Sequence, residues 1–231
     1  MSVASIGTLG IKRKNKIKQT DLTSLDIISI HRELFNLKKS GVENVIIEAS
    51  SHGLAQGRLN GINLTTGIFT NFTQDHLDYH KNMKNYFKSK MILFSNLLSK
   101  KKNVIADKET NKFLRLKSIA ISRKLNLLTI DENSMIKSAK ISLIGKFQRK
   151  NLLMAALAAK LSGLSEKEIN STLKDIKSVN GRLELTRVLP NQAKIFIDYA
   201  HTPDALFTVL QSLKKNYNSN VSLVFGCGGE R

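Results

Sequence analysis

Apolar positions in this chain form short continuous runs that alternate with longer stretches of helical spacing. The short runs predict strands at residues 3–6, 45–47, 67–70, 103–106 and 195–197. Spacings of three and four residues predict helices at 25–37, 86–98, 151–161 and 205–213. A capping box formed by Ser165 and Glu168 predicts the start of another helix. Strands that alternate with helices are typical of an α/β fold with a mainly parallel sheet.

Two segments fit this alternation less well. Residues 119–144 combine short β-like runs with a weak helical signal, which predicts a small antiparallel extension. Residues 221–231 predict a strand and then a glycine loop, but the helix that completes a βα unit does not follow. The first predicted strand is equally abrupt, since no partner elements precede it. We therefore expect a fragment whose two ends both lie inside α/β domains.

The net charge of +19 raises the question of a nucleic-acid partner. The lysines are spread over nearly every segment of the chain. The sequence has neither a recognised nucleic-acid motif nor an aromatic platform on which single-stranded bases could stack. A solvated basic surface without a nucleic-acid partner is therefore the expectation.

Cysteine usage and hydropathy favour a reducing compartment. The single cysteine, Cys227, excludes a disulfide within the chain. No apolar run approaches the roughly 20 residues that cross a bilayer. The charges near the N-terminus follow the apolar part, which is the reverse of a secretory signal. We expect a cytoplasmic protein with no membrane span.

Polar side chains concentrate in stretches that adjoin a predicted strand or helix, where α/β folds bind ligands. These stretches are residues 48–58, 70–80 and 198–206. Glu48, directly after a buried strand, could ligate magnesium, which prefers oxygen donors, or could simply face solvent. Ser50, Gln56 and Arg58 could converge on one ligand with a carboxylate or phosphate. They could equally belong to a capped short helix with an exposed arginine.

The second stretch holds the densest cluster of titratable groups, and three interpretations of it stay open. The cluster consists of Asp75, His76, Asp78 and His80. His76 could bind a divalent ion alongside Glu48, or the whole cluster could form a hydrolytic metal site. Alternatively, Asp75 could cap the start of a helix on which the histidines are exposed.

The remaining polar residues are less distinctive by pattern alone. Lys90 lies on the predicted helix after this cluster, and its spacing does not separate it from the other lysines. Arg182 lies at a junction between a helix and a strand, where it could contact phosphate or mark a hinge. Asp198 and His201 repeat the strand-end arrangement of Glu48.

Taken together, these stretches resemble the Mur ligases of peptidoglycan synthesis. The segments that carry the resemblance are SSHGLAQGR, FTNFTQDHLDYH, GRLE, DYAHTPDAL and VFGCGGER, in the family's order and approximate spacing. They extend over essentially the whole chain, and their combination is far more specific than any one of them. The resemblance implies a P-loop-type central ATPase domain over residues 1–187, and the beginning of a Rossmann-like C-terminal domain over 188–231.

The resemblance also implies roles for individual residues. Lys90, Arg182 and His201 would be catalytic, and Lys90, once carbamoylated by carbon dioxide, would help to hold a second magnesium ion. The contacts to the muramoyl substrate would be Thr23, Ser24, Ser50, Gln56 and Arg58. The magnesium ligands would be Glu48 and His76, together with the carbamate of Lys90. The contacts to ATP would be Asn151, Arg182 and Asp198.

The implied activity is amide-bond formation with ATP and Mg²⁺ as cofactors. ATP would phosphorylate the D-glutamate carboxylate of UDP-MurNAc-L-Ala-D-Glu, and the amine of diaminopimelate or lysine would attack the acyl phosphate. Magnesium and cationic side chains stabilise the charge on a transferring phosphoryl group. The complete enzyme would be a monomer.

Departures from the family's pattern limit what this chain is expected to do. The phosphate loop, of the form G-T-N-G-K-T, would lie just before residue 3 and is absent from the sequence. Leu25 replaces a proline of the family and Gln148 replaces an asparagine. Because the loop cradles the phosphates, we expect that this chain alone neither hydrolyses ATP nor ligates. The alternatives are a folate-polyglutamate ligase of the same superfamily, a non-catalytic substrate-binding fragment and a basic nucleic-acid-binding protein.

Overall fold

The computed structural model of the chain describes residues 1–130, 143–173 and 175–226. The strands are β1 (Val3–Gly7), β2 (Gly10–Arg13), β3 (Lys16–Lys18), β4 (Asn44–Ile47), β5 (Thr66–Phe69), β6 (Asn103–Ala106), β7 (Asn126–Thr129), β8 (Glu184–Val188) and β9 (Lys194–Ile197). The helices are α1 (Ile27–Lys39), α2 (Ser51–Ala55), α3 (Leu77–His80), α4 (Met83–Ile92), α5 (Phe113–Ser122), α6 (Lys146–Leu161), α7 (Glu166–Leu173) and α8 (Pro203–Tyr217). Strands and helices alternate along the chain, which confirms the predicted α/β fold.

The chain divides into two compact units. The first consists of Met1–Phe69, His76–Val104 and Lys112–Leu128. The second consists of Thr70–Asp75, Ile105–Asn111 and Thr129–Arg231. Each unit contains one of the polar groups described below.

A four-stranded sheet in the first unit has the order β3-β2-β1-β4. β1 pairs in parallel with β4, with Ile6 opposite Ile47, and the side chains of Ala4 and Ile6 are buried. β2 and β3 continue the sheet as an antiparallel hairpin. The sequence did not predict this hairpin, because lysines and an arginine dominate it. Such charges on an edge strand discourage pairing with other chains.

A second sheet, of order β5-β6-β7, packs against the helix predicted at residues 86–98. That helix is present as α4, followed by a π-helical turn at Leu93–Leu97. The rings of Phe69 and Phe94 meet edge to face at 6.0 Å. A Cβ added to Gly67 would lie 2.9 Å from Leu98 Cδ1, so the strand and helix approach closely there.

Two predictions near the ends of elements were wrong. The predicted antiparallel extension began at Ile119, but that residue belongs to α5, whose Leu116 and Ala120 are buried. A strand does follow as β7, whereas residues 131–142 lie outside the described residues. Residues 221–226 are not in a strand, and the predicted glycine loop with Cys227 lies outside the described residues.

In the second unit, α6 and α7 enclose a small apolar core of Leu152, Leu153 and Leu173. The predicted capping box opens α7: Ser165 N donates to Glu168 Oε2 at 2.8 Å, and Glu168 N donates to Ser165 Oγ at 3.3 Å. These bonds satisfy backbone groups that a helix start leaves without partners. β8 and β9 form an antiparallel pair, and α8 follows with Pro203 at its first position.

An ion-pair network joins the turn after β6 to the start of α6. Lys150 contacts the buried Asp107 and also donates to Glu109 Oε2 at 2.6 Å. Lys146 contacts the same Glu109 oxygen at 3.0 Å. Hydrogen bonds from Lys150 first, and then from Lys146, lower the pKa of Glu109 to about 2. Among the described helices, none is both long and apolar enough to cross a membrane.

Replacing the cap, Ser165→Ala, should destabilise α7 by about 1 kcal/mol, because the Glu168 amide loses its acceptor. Amide hydrogen exchange within α7 should then be roughly fivefold faster. Ser171→Ala is the matched control, since Ser171 Oγ only donates to a carbonyl of its own helix. Equal exchange rates in the two variants would contradict a capping role.

Lys150→Met should cost about 3 kcal/mol of unfolding free energy, because it leaves Asp107 buried without its cation. Lys146→Met, which removes only an exposed pair, should cost less than about 0.5 kcal/mol. NMR titration should show that the pKa of Glu109 rises more in Lys150→Met than in Lys146→Met. Since folding lowers this pKa, the contribution of Glu109 to stability is full above about 4.5 and declines as pH falls towards about 2. Equal changes in unfolding free energy, or in the pKa of Glu109, for the two variants would contradict the larger role assigned to Lys150.

Candidate functional site

The carboxylate of Glu48 is held at the end of β1. Glu48 directly follows β4, and its Oε2 accepts hydrogen bonds from Thr8 N at 2.8 Å and Thr8 Oγ1 at 2.9 Å. Thr23 Oγ1 lies 3.1 Å from the same threonine hydroxyl. A Cβ at Gly7 would lie only 2.6 Å from Glu48 Oε2, so the carboxylate approaches the backbone as only glycine permits. Gly7 and Thr8 were not predicted as site residues, although their position in the turn after a strand is a usable signal.

Ser24 is fully buried and organises the loop that follows β4. Its hydroxyl donates to the Glu48 carbonyl at 2.8 Å and accepts from Ser50 N at 2.9 Å. Ser50 caps α2 by accepting from Gly53 N at 3.0 Å. A Cβ at Gly53 would lie 2.6 Å from Ser24 Cβ, which shows how closely the two segments pack. Of these two predicted substrate contacts, Ser50 is the more accessible.

Arg58 and Gln56 form a fixed polar pair beside this loop. Arg58 Nη1 donates to the Ser24 carbonyl at 2.7 Å, and its Nε donates to Gln56 Oε1 at 2.9 Å. Gln56 Nε2 in turn donates to the Tyr79 hydroxyl at 3.3 Å. The first unit therefore brings together all five residues predicted to contact the muramoyl substrate, with Glu48 beside them. We call Thr8, Thr23, Ser24, Glu48, Ser50, Gln56 and Arg58 the strand-end group.

Aromatic and imidazole rings cluster next to it. The His52 ring lies 5.0 Å from His76 and 4.2 Å from Tyr79, measured between centroids. His76 has a left-handed backbone (φ 54°) and precedes α3 without capping it through its side chain. The Tyr86 ring lies 5.9 Å from His76. Asp75, which was one candidate for the cap, is thus not the residue that begins this helix.

His80 is buried, so the interpretation with both histidines exposed was wrong for this residue. Its Nε2 lies 2.9 Å from Ser51 Oγ, and its Nδ1 lies 3.3 Å from Ser89 Oγ. Burial lowers the pKa of His80 below its ordinary value, and the neighbouring His52 and His76 lower it further. This lowering favours the neutral imidazole, which has one donor and one acceptor nitrogen.

Lys90 lies on α4 with its ammonium 5.2 Å from the centre of the Tyr86 ring. The residue is half-buried, unlike a lysine on a solvated helix face. In the described residues, no group of three or more His, Cys, Asp or Glu side chains could hold a metal ion. The hydrolytic metal site thus gains no support. Magnesium keeps several waters and needs few protein ligands, so the carboxylate of Glu48 still suits it.

The second unit holds a separate polar group around Asp198. Its Oδ2 accepts from Leu183 N and its Oδ1 from Ala200 N, both at 2.7 Å. The guanidinium of Arg182 lies 4.7 Å from the centre of the Tyr199 ring. Asp198 therefore ties the GRLE segment to the segment that follows β9.

Two further residues, Gln148 and His201, contact this second group. Gln148 Nε2 donates to the Arg182 carbonyl at 3.1 Å, so α6 is anchored to the GRLE segment. His201 Nδ1 lies 3.1 Å from the Tyr199 carbonyl, and its Nε2 lies 3.8 Å from Asp75 Oδ1. Asn151 is exposed on α6. The roles of Asn151, Arg182 and Asp198 with ATP, and the catalytic role of His201, stay predictions.

Comparison with known proteins agrees with these motifs. Residues 1–159 match the model of the Mur ligase middle domain, and residues 181–231 match that of the Mur ligase glutamate ligase domain. A UDP-N-acetylmuramoyl-L-alanyl-D-glutamate–2,6-diaminopimelate ligase of Chelativorans sp. (strain BNC1) is 38% identical over 254 residues. That match covers 100% of this chain and 53% of the relative. The ligase of the same name from Rickettsia montanensis is also 38% identical, over 99% of this chain and 53% of the relative.

A solved structure of a UDP-N-acetylmuramoyl-L-alanyl-D-glutamate–2,6-diaminopimelate ligase superposes with a TM-score of 0.75 at 29% identity. It covers 100% of this chain and 51% of that protein, so the chain spans about half the length of the relatives it matches. A folylpolyglutamate synthase of Mycobacterium tuberculosis shares the fold, with a TM-score of 0.59 and 18% identity. That match covers 77% of this chain and 45% of the synthase chain. On the family models and these relatives, the chain belongs to the Mur ligase family.

Proposed function

We propose that this chain is part of an ATP-dependent ligase that joins 2,6-diaminopimelate to UDP-N-acetylmuramoyl-L-alanyl-D-glutamate. The observation that carries the proposal is the strand-end group at the carboxyl ends of the parallel strands β1 and β4. Ligands of α/β folds bind at this edge of a sheet. The diaminopimelate ligases that the chain resembles supply the choice of amino acid.

The strand-end group suits an anionic acceptor. The guanidinium of Arg58 is planar and is held by Gln56 and the Ser24 carbonyl, which suits a carboxylate or a phosphate. Thr23 and Ser50 add hydroxyl groups that can donate to substrate oxygens. Because these side chains are already fixed in place, little conformational entropy is lost when the acceptor binds.

Magnesium would be held by Glu48 and His76, with a carbamate on Lys90 as a further oxygen ligand. When bound, the ion neutralises charge on the phosphates of ATP. The two hydrogen bonds from Thr8 hold the Glu48 carboxylate in place. Lys90 is half-buried beside the Tyr86 ring. A carbamate forms from the neutral amine and carbon dioxide, and a nearby cation would keep it in place.

The second polar group would serve the nucleotide. Arg182 can stabilise negative charge on phosphate, and Asp198 fixes the segment that carries it through the bond from Leu183 N. A folate-polyglutamate ligase is the second candidate, because the folylpolyglutamate synthase shares the fold. A chain that only binds the acceptor, without catalysis, is the third.

Titration of the chain with UDP-MurNAc-L-Ala-D-Glu, followed by ¹⁵N NMR, tests the proposal. Arg58→Lys should weaken binding about 10-fold to 100-fold, since a lysine cannot reproduce a two-pronged bond to the acceptor. The matched control is Arg123→Lys, because Arg123 also donates to a backbone carbonyl, that of Leu98, away from the strand-end group. Saturation by a folate polyglutamate instead, or by DNA, would reject the proposal in favour of those candidates.

Gly7→Ala should weaken binding of Mn²⁺, used as a probe for Mg²⁺, by about tenfold. The added methyl group would displace the Glu48 carboxylate from Thr8. Water-proton relaxation measures the affinity directly, without catalysis. Gly226→Ala is the control, since a Cβ there meets nothing within 4 Å. Identical Mn²⁺ affinity in Gly7→Ala and the unaltered chain would show that Glu48 does not ligate the ion.

A further inference from the structure

The buried imidazole of His80 joins segments that carry three separately predicted site residues. Its Nε2 lies 2.9 Å from the hydroxyl of Ser51, the residue that follows Ser50. Its Nδ1 lies 3.3 Å from the hydroxyl of Ser89, the residue that precedes Lys90. The family resemblance implies no role for His80, although this residue lies in the densest titratable stretch of the sequence.

The hydrogen-bond partners define the tautomer of this imidazole. Ser89 Oγ donates its only hydrogen to the Asn85 carbonyl at 3.0 Å. It can therefore only accept from His80, so Nδ1 carries the proton. In the neutral ring, Nε2 then accepts from the hydroxyl of Ser51. The ring is thus bound in a single orientation between α2 and α4.

Two further contacts extend this link. The backbone N of His80 donates to the His76 carbonyl at 3.0 Å, which closes the single turn of α3. The Tyr86 ring lies 5.3 Å from the His80 ring, and the ammonium of Lys90 lies 5.2 Å from the Tyr86 ring. His80 therefore contacts the neighbours of Ser50 and Lys90 and bonds to His76, so it links segments that bear three predicted ligands of substrate or magnesium.

We propose that His80 is a positioning residue, which ties α2 to α4 and so sets the separation between Ser50 and Lys90. The importance of His80 for ligation rests on the proposed function, whereas the hydrogen-bonded link between α2 and α4 does not. A buried hydrogen-bonded network of this kind specifies one arrangement of the elements that it joins.

Backbone amide shifts in ¹⁵N NMR of the whole chain test the link without any ligand. Ser89→Ala should shift the amide of Ser50, and Ser51→Ala should shift the amide of Lys90, because each disturbance passes through the ring. Both cross-effects should disappear in a His80→Phe background. The matched control is Ser118→Ala, since Ser118 also donates to a carbonyl in its own helix but lies on α5. Each serine variant loses a single oxygen, so the fold should be retained.

A double-mutant cycle then connects the link to binding. The effects of Ser51→Ala and Ser89→Ala on affinity for UDP-MurNAc-L-Ala-D-Glu should be non-additive by about threefold or more. The proposal for His80 would be overturned if Ser89→Ala did not shift the Ser50 amide and Ser51→Ala did not shift the Lys90 amide. It would also be overturned if these shifts persisted in the His80→Phe background. If the unaltered chain does not bind the dipeptide, the proposed function fails, and the amide shifts still decide whether His80 links the helices.

Discussion

The parallel pairing of β1 with β4 is the constraint on which the strand-end group depends. It brings the carboxyl ends of both strands to one edge, so that the turn at Thr8 and the loop at Glu48 meet there. Ser24 then fastens the loop, because its buried hydroxyl bonds both the Glu48 carbonyl and the Ser50 amide. Side chains from residues far apart in sequence thus share one small volume through backbone contacts.

The second unit uses the same principle with a different group. There a carboxylate, that of Asp198, accepts from two backbone amides and fixes the GRLE segment. Gln148 adds a bond from α6 to the Arg182 carbonyl. In both units, therefore, residues that were expected to touch ligands also hold the backbone. Substitution of such a residue changes the shape of a site as well as its chemistry.

Prediction from the sequence was most accurate where a pattern is compatible with only one local structure. Helix α6, the Ser165 capping box and the strands β1, β4, β5 and β6 were predicted, since apolar periodicity and caps are local signals. The expected burial of β4 was wrong, because Ile46 is exposed. The β2–β3 hairpin was missed because lysines hide its alternation. Apart from Thr8, the polar residues of the strand-end group were predicted from the sequence, but the burial of Ser24 and His80 depends on distant segments. The importance of Gly7 likewise depends on a contact across the sheet.

The π-helical turn after α4 affects how this segment tolerates change. Leu98 N bonds to the carbonyl of Leu93, five residues earlier, so the turn contains one residue more than an α-helix would need. Each residue rotates a helix by about 100°. Deleting one residue here would restore α-helical winding and leave Leu98, which is fully buried, facing the core, because four residues of an α-helix turn the chain about as far as the five residues of the π turn. A single-residue deletion in this turn should therefore be tolerated better than one in the regular helix α4, where every later side chain would change its face.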